Sequence, residues 1–454
     1  MFAALTASGA SCAPSRAYLF DPVEQTVRER TGLAPEWRLG GPPAPAVERR
    51  IRELLARPLT DENAALVAVL ASPRLQADYE RLGVAGAALA GARALPNPEA
   101  DLAVRFPVDG GSTQIELMAV ESISGLVGAL LRTNAADADL RAARRRAVAR
   151  TIDVAAAAKI AFYRASAAES LRALRRTIAD ATAASASLAR GLHQAGNVTQ
   201  LQLARELVAE ETAALAAQAA EAEAVAARAE LAAALGLGAD APEVGIGPLA
   251  DAPAAPPDVT NLEADAVAAS LDLDSLRLDL EAAGDRVDLA RFQSFVPDVA
   301  AGVSAKREAD EWGVGPAVRV SIPLFDWGEG KRAAAAAQVR RLRQELAAAA
   351  LDVRAAARAA RARLAAAHAL ALRMRATVLP LRAQLDDESL RQYNAMNLSA
   401  FELLVARREH VAAEERAVAA LRDYWIARAE VDQLRAGALP RGRARLDDTK
   451  GDEP

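Results

Sequence analysis

His193, His368 and His410 are the chain's three histidines, and Cys12 is its one cysteine. They are scattered, and none has a partner at metal-ligand spacing, so no internal disulfide and no cysteine-based zinc site can be built from them. The histidines read as ordinary helix-surface residues. No His-Glu-x-x-His, phosphate loop or dinucleotide fingerprint occurs, and Gly236-Leu237-Gly238 reads as a helix end and linker. No carboxylate pair or nucleophile–base pair stands out as catalytic. The expectation is a protein that is not an enzyme and holds no metal or cofactor.

The chemistry that remains is charge. Asp386-Asp387-Glu388 is an acidic run, with Glu402 farther along. Such acids are either a solvated helix face or, in a channel, a lining that attracts cations. Copies of one acid brought close together raise each other's pKa unless a cation or an arginine offsets them. Arg391, Arg407 and Arg408 are near enough in sequence to do so. Asp326-Trp327-Gly328 reads as a strand-to-helix turn. Trp327 suits a membrane interface, where amphipathic aromatics collect.

The elements that must carry these residues come in two copies about 200 residues apart. Asn97-Pro98 opens an extended stretch, Asp101 to Pro107. The turn Asp109-Gly110-Gly111 follows, then a second stretch, Ser112 to Val120. Val296-Pro297-Asp298 opens the matching pair: Val299 to Lys306, a loop through Trp312-Gly313-Val314-Gly315, and Ala317 to Ile322. Apolar and polar residues alternate in these stretches, as in a sheet wet on one side. Each pair leads into a long Ala/Arg-rich helix, about 100 Å long in the first half at 1.5 Å per residue. The helices break at Ala195-Gly196-Asn197-Val198-Thr199 and Ala395-Met396-Asn397-Leu398-Ser399. Thr199 and Ser399 then cap return helices, from Val198 to Leu235 and from Leu398 to about Leu434. Pro380 falls inside the second long helix.

The rest of the chain fits around these halves. Residues 1–45 read as a signal or lead segment, Pro/Gly-punctuated and extended from residue 13 on. Residues 46–235 are the first repeat, with a helix start at Leu59-Thr60-Asp61-Glu62, an interruption at Ser72-Pro73 and the strand pair at 101–120. Residues 236–260 are a linker rich in Gly, Ala, Asp and Pro. Residues 261–437 are the second repeat, with a helix from Asn261 to Phe295 and the strand pair at 299–322. Residues 438–454 are a polar, disordered tail. The fold class is mainly α with a small β part, in duplicated β-β-α-α halves.

Composition agrees. Hydrophobic residues make up 52% of the 454, yet aromatics only 4%. That is the alanine-rich mix of long, closely packed helices rather than of an enzyme core. The net charge of −5, with both signs interspersed, gives no basic face for nucleic acid. No apolar run reaches the length of a membrane-spanning helix, which leaves a soluble, peripheral or β-barrel protein. Four strands cannot close a barrel, which takes about eight or more, so either the sheet is open or several chains pool strands. Cys12 follows Gly9-Ala10-Ser11. It is either an incidental thiol or the acceptor of a degenerate lipoprotein signal.

Asn97-Pro98, the Ser-Ile-Pro-Leu-Phe-Asp-Trp-Gly run at 321–328 and the paired breaks at Gly196 and Met396 resemble the TolC family of outer-membrane efflux channels. Pro58-Leu59-Thr60 followed by Ser72-Pro73-Arg74-Leu75 is similar to that family's first helix, with Ser72 in place of the usual Asn. The resemblance covers about residues 50–437. It implies a homotrimer that pools strands into a twelve-stranded outer-membrane β-barrel, continued by a long α-helical barrel in the periplasm. It implies outer-membrane lipid around the barrel, and a periplasmic adaptor and inner-membrane pump as partners. The adaptor would dock on the tips at Gly196, Asn197, Thr199, Met396, Asn397 and Ser399. Met396 replaces the family's usual glycine. By position Glu402 is the family's pore acid, with Gln202 as its first-half equivalent, and Asp386 and Asp387 are further pore or gate candidates. The expected function is an exit duct for a tripartite efflux or type I secretion system. The alternative is a periplasmic coiled-coil interaction or adaptor protein without a channel. An adaptor, however, carries one hairpin rather than two.

Overall fold

The structure is a computed structural model of the chain. It describes residues 14–41, 44–106, 108, 113–238, 244–308, 311–321 and 325–440. In chain order these form α1 (Arg16–Thr31), α2 (Pro45–Leu55), α3 (Asp61–Ala71), α4 (Pro73–Arg93), β1 (Glu99–Arg105), β2 (Gln114–Ser122), α5 (Ile123–Gln194), α6 (Gln200–Leu235), α7 (Leu262–Ala269), α8 (Leu271–Phe295), β3 (Asp298–Glu308), β4 (Glu311–Ser321), α9 (Glu329–Arg373), α10 (Leu379–Asn394) and α11 (Ala400–Arg435). A π-helical turn, Met374–Val378, joins α9 to α10. It lies just ahead of Pro380, whose missing N–H disturbs the helical ladder.

The duplication is structural. In each half a short helix breaks at a buried serine, resumes, and leads through two strands into a long helix, a tip and a return helix. Thr60 caps α3, its hydroxyl accepting the Asn63 N–H at 3.2 Å. Ser72 and Ser270 take the same backbone angles, φ −60°, ψ 116° and φ −61°, ψ 114°. Pro73 forces the first break by keeping its predecessor out of the helical region. Nothing local forces the second, and the continuous helix expected from Asn261 to Phe295 is therefore interrupted. Packing decides it. The end of α11 presses Gly437 against Ala269 so closely that a Cβ there would sit 2.2 Å from the Ala269 carbonyl. Arg30 Nη1 donates to that carbonyl at 2.7 Å and to Ala436 O at 2.9 Å. Gly236, at the end of α6, meets Ser72 in the same way.

Three other expectations are corrected. The extended lead segment contains the helix α1, with Pro22 inside it. Pro22 leaves the Tyr18 carbonyl without its helical donor. Arg144 of α5 supplies one, donating to Tyr18 O at 2.5 Å and to Leu19 O at 3.3 Å, with its guanidinium 4.9 Å from the Tyr18 ring. Leu19, Phe20, Val23 and Val27 are buried, so packing outweighs the proline. Trp312–Gly315, expected as a loop, is strand, paired with Ser304–Arg307 of β3. His368, expected on the surface, is buried, and its Nε2 hydrogen-bonds Pro253 O at 2.8 Å.

The chain divides into two compact units, each drawing on both halves. The first takes residues up to Thr26, Asp78–Val148 and Leu271–Leu351. It holds one antiparallel sheet of order β1-β2-β3-β4. In it α5 and α8 are joined by ion pairs: Arg141–Glu281 at 2.6 Å, Arg146–Asp279 and Arg286–Asp139. The second takes Val27–Ala77, Ala149–Ser270 and residues from Asp352 on. Its core gathers Leu54, Leu59, Val67, Phe162, Leu231 and Leu235 among alanines. The linker is tied into this unit. Ile246 bridges Leu59, Ser166 Oγ donates to Gly247 O at 2.8 Å, and Trp425 Nε1 donates to Ala250 O at 2.7 Å. Tyr163 OH donates to Asp61 at 2.7 Å, and burial with that bond pushes its pKa up.

Candidate functional site

Strand register sorts the sheet into two faces. Leu102, Leu117, Ala305 and Val314 lie across one row of partners; Ala119, Val303 and Pro316 form the next, followed by Ala301 with Val318 and Val299 with Val320. Apart from Glu121 in the Ala301 row and Arg307 opposite Trp312, this face is apolar, yet Leu102, Leu117, Val303, Val314 and Val318 are exposed. The opposite face carries Asp101, Met118, Ser304 and Gly315 in one row and Ala103, Glu116, Lys306 and Gly313 in another, with Arg319 beyond. It buries Val120, Ala300 and Ala317. An apolar outer face backed by a polar inner one is the pattern of a transmembrane barrel wall. No helix among the described residues is long and apolar enough to cross a membrane.

Its lower end is pinned by Asp298, whose carboxylate accepts from Ser122 Oγ at 2.9 Å and from Ser124 Oγ. Ser124 also accepts the Val299 N–H at 3.2 Å. Arg319 of β4 forms ion pairs with Glu99 and Asp101 of β1. These are the two edges of the sheet, which no ladder joins, so the sheet curls toward its polar face.

The two tips match residue for residue. Gly196 has φ 76° and Met396 φ 62°, and Met396 is the one non-glycine with positive φ among the described residues. Asn197 N donates to Leu192 O at 2.8 Å, and Asn397 N to Gln392 O at 2.9 Å. Both helices thus end in the same left-handed cap. Thr199 with Gln202, and Ser399 with Glu402, then form reciprocal capping boxes that start α6 and α11. Met396 pays strain where glycine pays none, and its side chain is exposed.

No family model and no curated protein matches the chain. Solved structures do. The outer-membrane channel OprN is 18% identical, with 83% of this chain and 90% of that one matched at a TM-score of 0.64. CusC, a structure concerned with folding and transmembrane channel formation, is 15% identical, with 84% and 92% matched at 0.64. The open state of the Neisseria gonorrhoeae MtrE outer membrane channel is 16% identical, with 84% and 90% matched at 0.61. The chain has the fold of these outer-membrane channels.

Within that fold the acids named from sequence take different places. Glu402 is spent on its cap: its carboxylate accepts from Ser399 N at 2.9 Å and Ser399 Oγ at 2.8 Å. The Ser399 backbone N–H, then its hydroxyl, hold the Glu402 pKa below the usual carboxylate range. None of the three arginines expected beside Glu402 forms an ion pair with it among the described residues. Arg407 pairs with Asp386, and Arg391 with Glu388 at 3.5 Å. Asp386 is thus tied to α11, while Asp387 is exposed. Gln202 fills the first-half position with a neutral side chain that caps equally well, so the charge at 402 is separable from the cap. Glu402→Gln keeps the start of α11 intact, whereas Ser399→Ala costs about 1 kcal/mol of local stability. Amide exchange at residues 400–403 checks this: faster exchange in Ser399→Ala only is the expected result. Acidification acts in the same direction, since a depressed pKa gives stability that is lost as pH falls through it. No group of three or more His, Cys, Asp or Glu among the described residues could hold a metal. Cys12 and the turn Asp109-Gly110-Gly111 lie outside the described residues, as do Ile322-Pro323-Leu324 and the tail from 441.

Sequence reasoning missed the Arg319–Glu99–Asp101 cluster. Its signal was two acids at i and i+2 on one strand and one arginine two residues from the end of another.

Proposed function

We propose that the chain is a TolC-family protomer of a homotrimeric exit duct in the bacterial outer membrane, with its helices in the periplasm. It passively conducts substrates handed over by a periplasmic adaptor and an inner-membrane pump, and it performs no catalysis. The observation that carries this reading is the four-stranded sheet, apolar on one face, polar on the other and open at both edges. Open edges cannot stand in lipid, because every backbone group there needs a partner. Four strands are too few to close on themselves, and three copies give twelve. The fold shared with solved outer-membrane channels supports the same reading.

The tips, with Gly196, Asn197, Thr199, Met396, Asn397 and Ser399, are the docking elements for the adaptor in this proposal. Glu402, Asp386 and Asp387 place acidic charge near the second tip, where a pore lining would favour cations. Cys12 is the proposed acylation point that tethers the N-terminus to the membrane. Mass measurement of the detergent-purified chain tests the proposal. Three chains per particle are expected, and a stable monomer would overturn it.

A further inference from the structure

The two edge strands carry opposite charge on the same face. Among the described residues of β1 the polar face has Glu99 and Asp101 at its start, while β4 offers Arg319 near its end. In the single chain Arg319 reaches across the curl to both carboxylates. All three side chains keep solvent access, with 37%, 69% and 56% of their surface exposed for Arg319, Glu99 and Asp101. Among the described residues the outer side of neither edge strand has a backbone partner, so the contact rests on side chains alone and can be exchanged.

We infer that Arg319 is a swapped latch. It holds β4 to Glu99 and Asp101 of its own β1 before assembly, and to those of a second copy of this chain in the assembled barrel. Three features of the strands favour the exchange. β1 and β4 run antiparallel through the alternation of the sheet, so β4 of one copy and β1 of the next extend the same antiparallel ladder. Continuing the rows of partners, Glu99 stands level with Ala317 and Asp101 with Gly315. Arg319 is therefore two residues past the first and four past the second, and closing a sheet into a barrel requires its register to stagger. Finally, opposite charges facing each other across a seam fix register and suppress wrong pairings. The edges find each other by the charges that first kept the sheet curled. This inference rests on the trimeric reading above and adds the residues that set its seam.

The test uses full-length chains carrying two different tags, one with Arg319→Cys and the other with Glu99→Cys, co-expressed and purified in detergent. A short bis-maleimide then bridges the thiols. The expected result is cross-linked dimers holding both tags, about tenfold above the parent chain, whose one cysteine is Cys12. Asp101→Cys in place of Glu99→Cys gives the same product and guards against one variant failing to fold. Independently, Arg319→Glu lowers the trimer–monomer equilibrium constant about tenfold, or about 1.4 kcal/mol. A particle of three chains with no mixed-tag product, or a trimer indifferent to Arg319→Glu, overturns the latch and leaves the channel reading standing. A particle of one chain overturns both.

Discussion

Val303→Arg keeps the chain out of the membrane, whereas Ser304→Arg, the next residue on β3, does not. Val303 lies mid-strand on the apolar face, opposite Ala119 on one side and Pro316 on the other, and it is exposed. Ser304 points to the polar face, in the row of Asp101, Met118 and Gly315. An arginine on the lipid side of a barrel near the bilayer midplane costs about 2–4 kcal/mol. Three copies would each bear that cost, while an arginine facing the lumen is hydrated. The check is the fraction of each variant recovered as trimer from outer membranes, with helical circular dichroism as the control for folding elsewhere. Trimer is lost for Val303→Arg and retained for Ser304→Arg. Equal recovery of the two would mean that the faces do not meet different solvents.

The second large effect lies where the return helices end. Gly437→Leu and Gly236→Leu each destabilise the second unit by about 3–5 kcal/mol. Both glycines have positive φ, 97° and 73°, which costs a side-chain-bearing residue about 1–2 kcal/mol. The larger part is contact. A Cβ at 437 would sit 2.2 Å from the Ala269 carbonyl, and one at 236 would sit 2.6 Å from Ser72 Cα. Both obstacles are backbone and cannot swing aside. Gly191→Ala is the control: it lies inside α5, its Cβ would meet nothing within 4 Å, and alanine there is slightly stabilising. Thermal unfolding should show two strongly lowered midpoints and one unchanged or raised.

Much of the molecule was legible in its sequence because its two strongest signals are local. A proline-free Ala/Arg stretch reads as one helix, and α5 spans 72 residues. Period-two alternation, as in Val318, Val320 and their polar neighbours, reads as strand. The tips were legible because Thr199 and Ser399 are capping residues next to a helix break, and both cap as expected. What escaped depends on residues distant in sequence. The break at Ser270 is set by Gly437, the helix around Pro22 by Arg144, and the burial of His368 by a carbonyl of the linker. Gly313 and Gly315 looked like a loop because glycine carries no strand signal; their pairing with Lys306 and Ser304 makes them strand. The acid at 402 was legible as an acid, but its engagement by Ser399 followed only from the capping geometry.

Spin labels placed singly along β3 and β4 in lipid-reconstituted protein test the central claim, that one face of this sheet meets lipid and the other a water-filled lumen. Labels at 303, 318 and 320 should be accessible to molecular oxygen and shielded from a water-soluble nickel chelate. Labels at 304, 317 and 319 should show the reverse, so that accessibility alternates with a period of two residues. Uniform accessibility to the chelate at all six positions would contradict the account, because it would leave the apolar face of the sheet in water and the chain without a membrane wall.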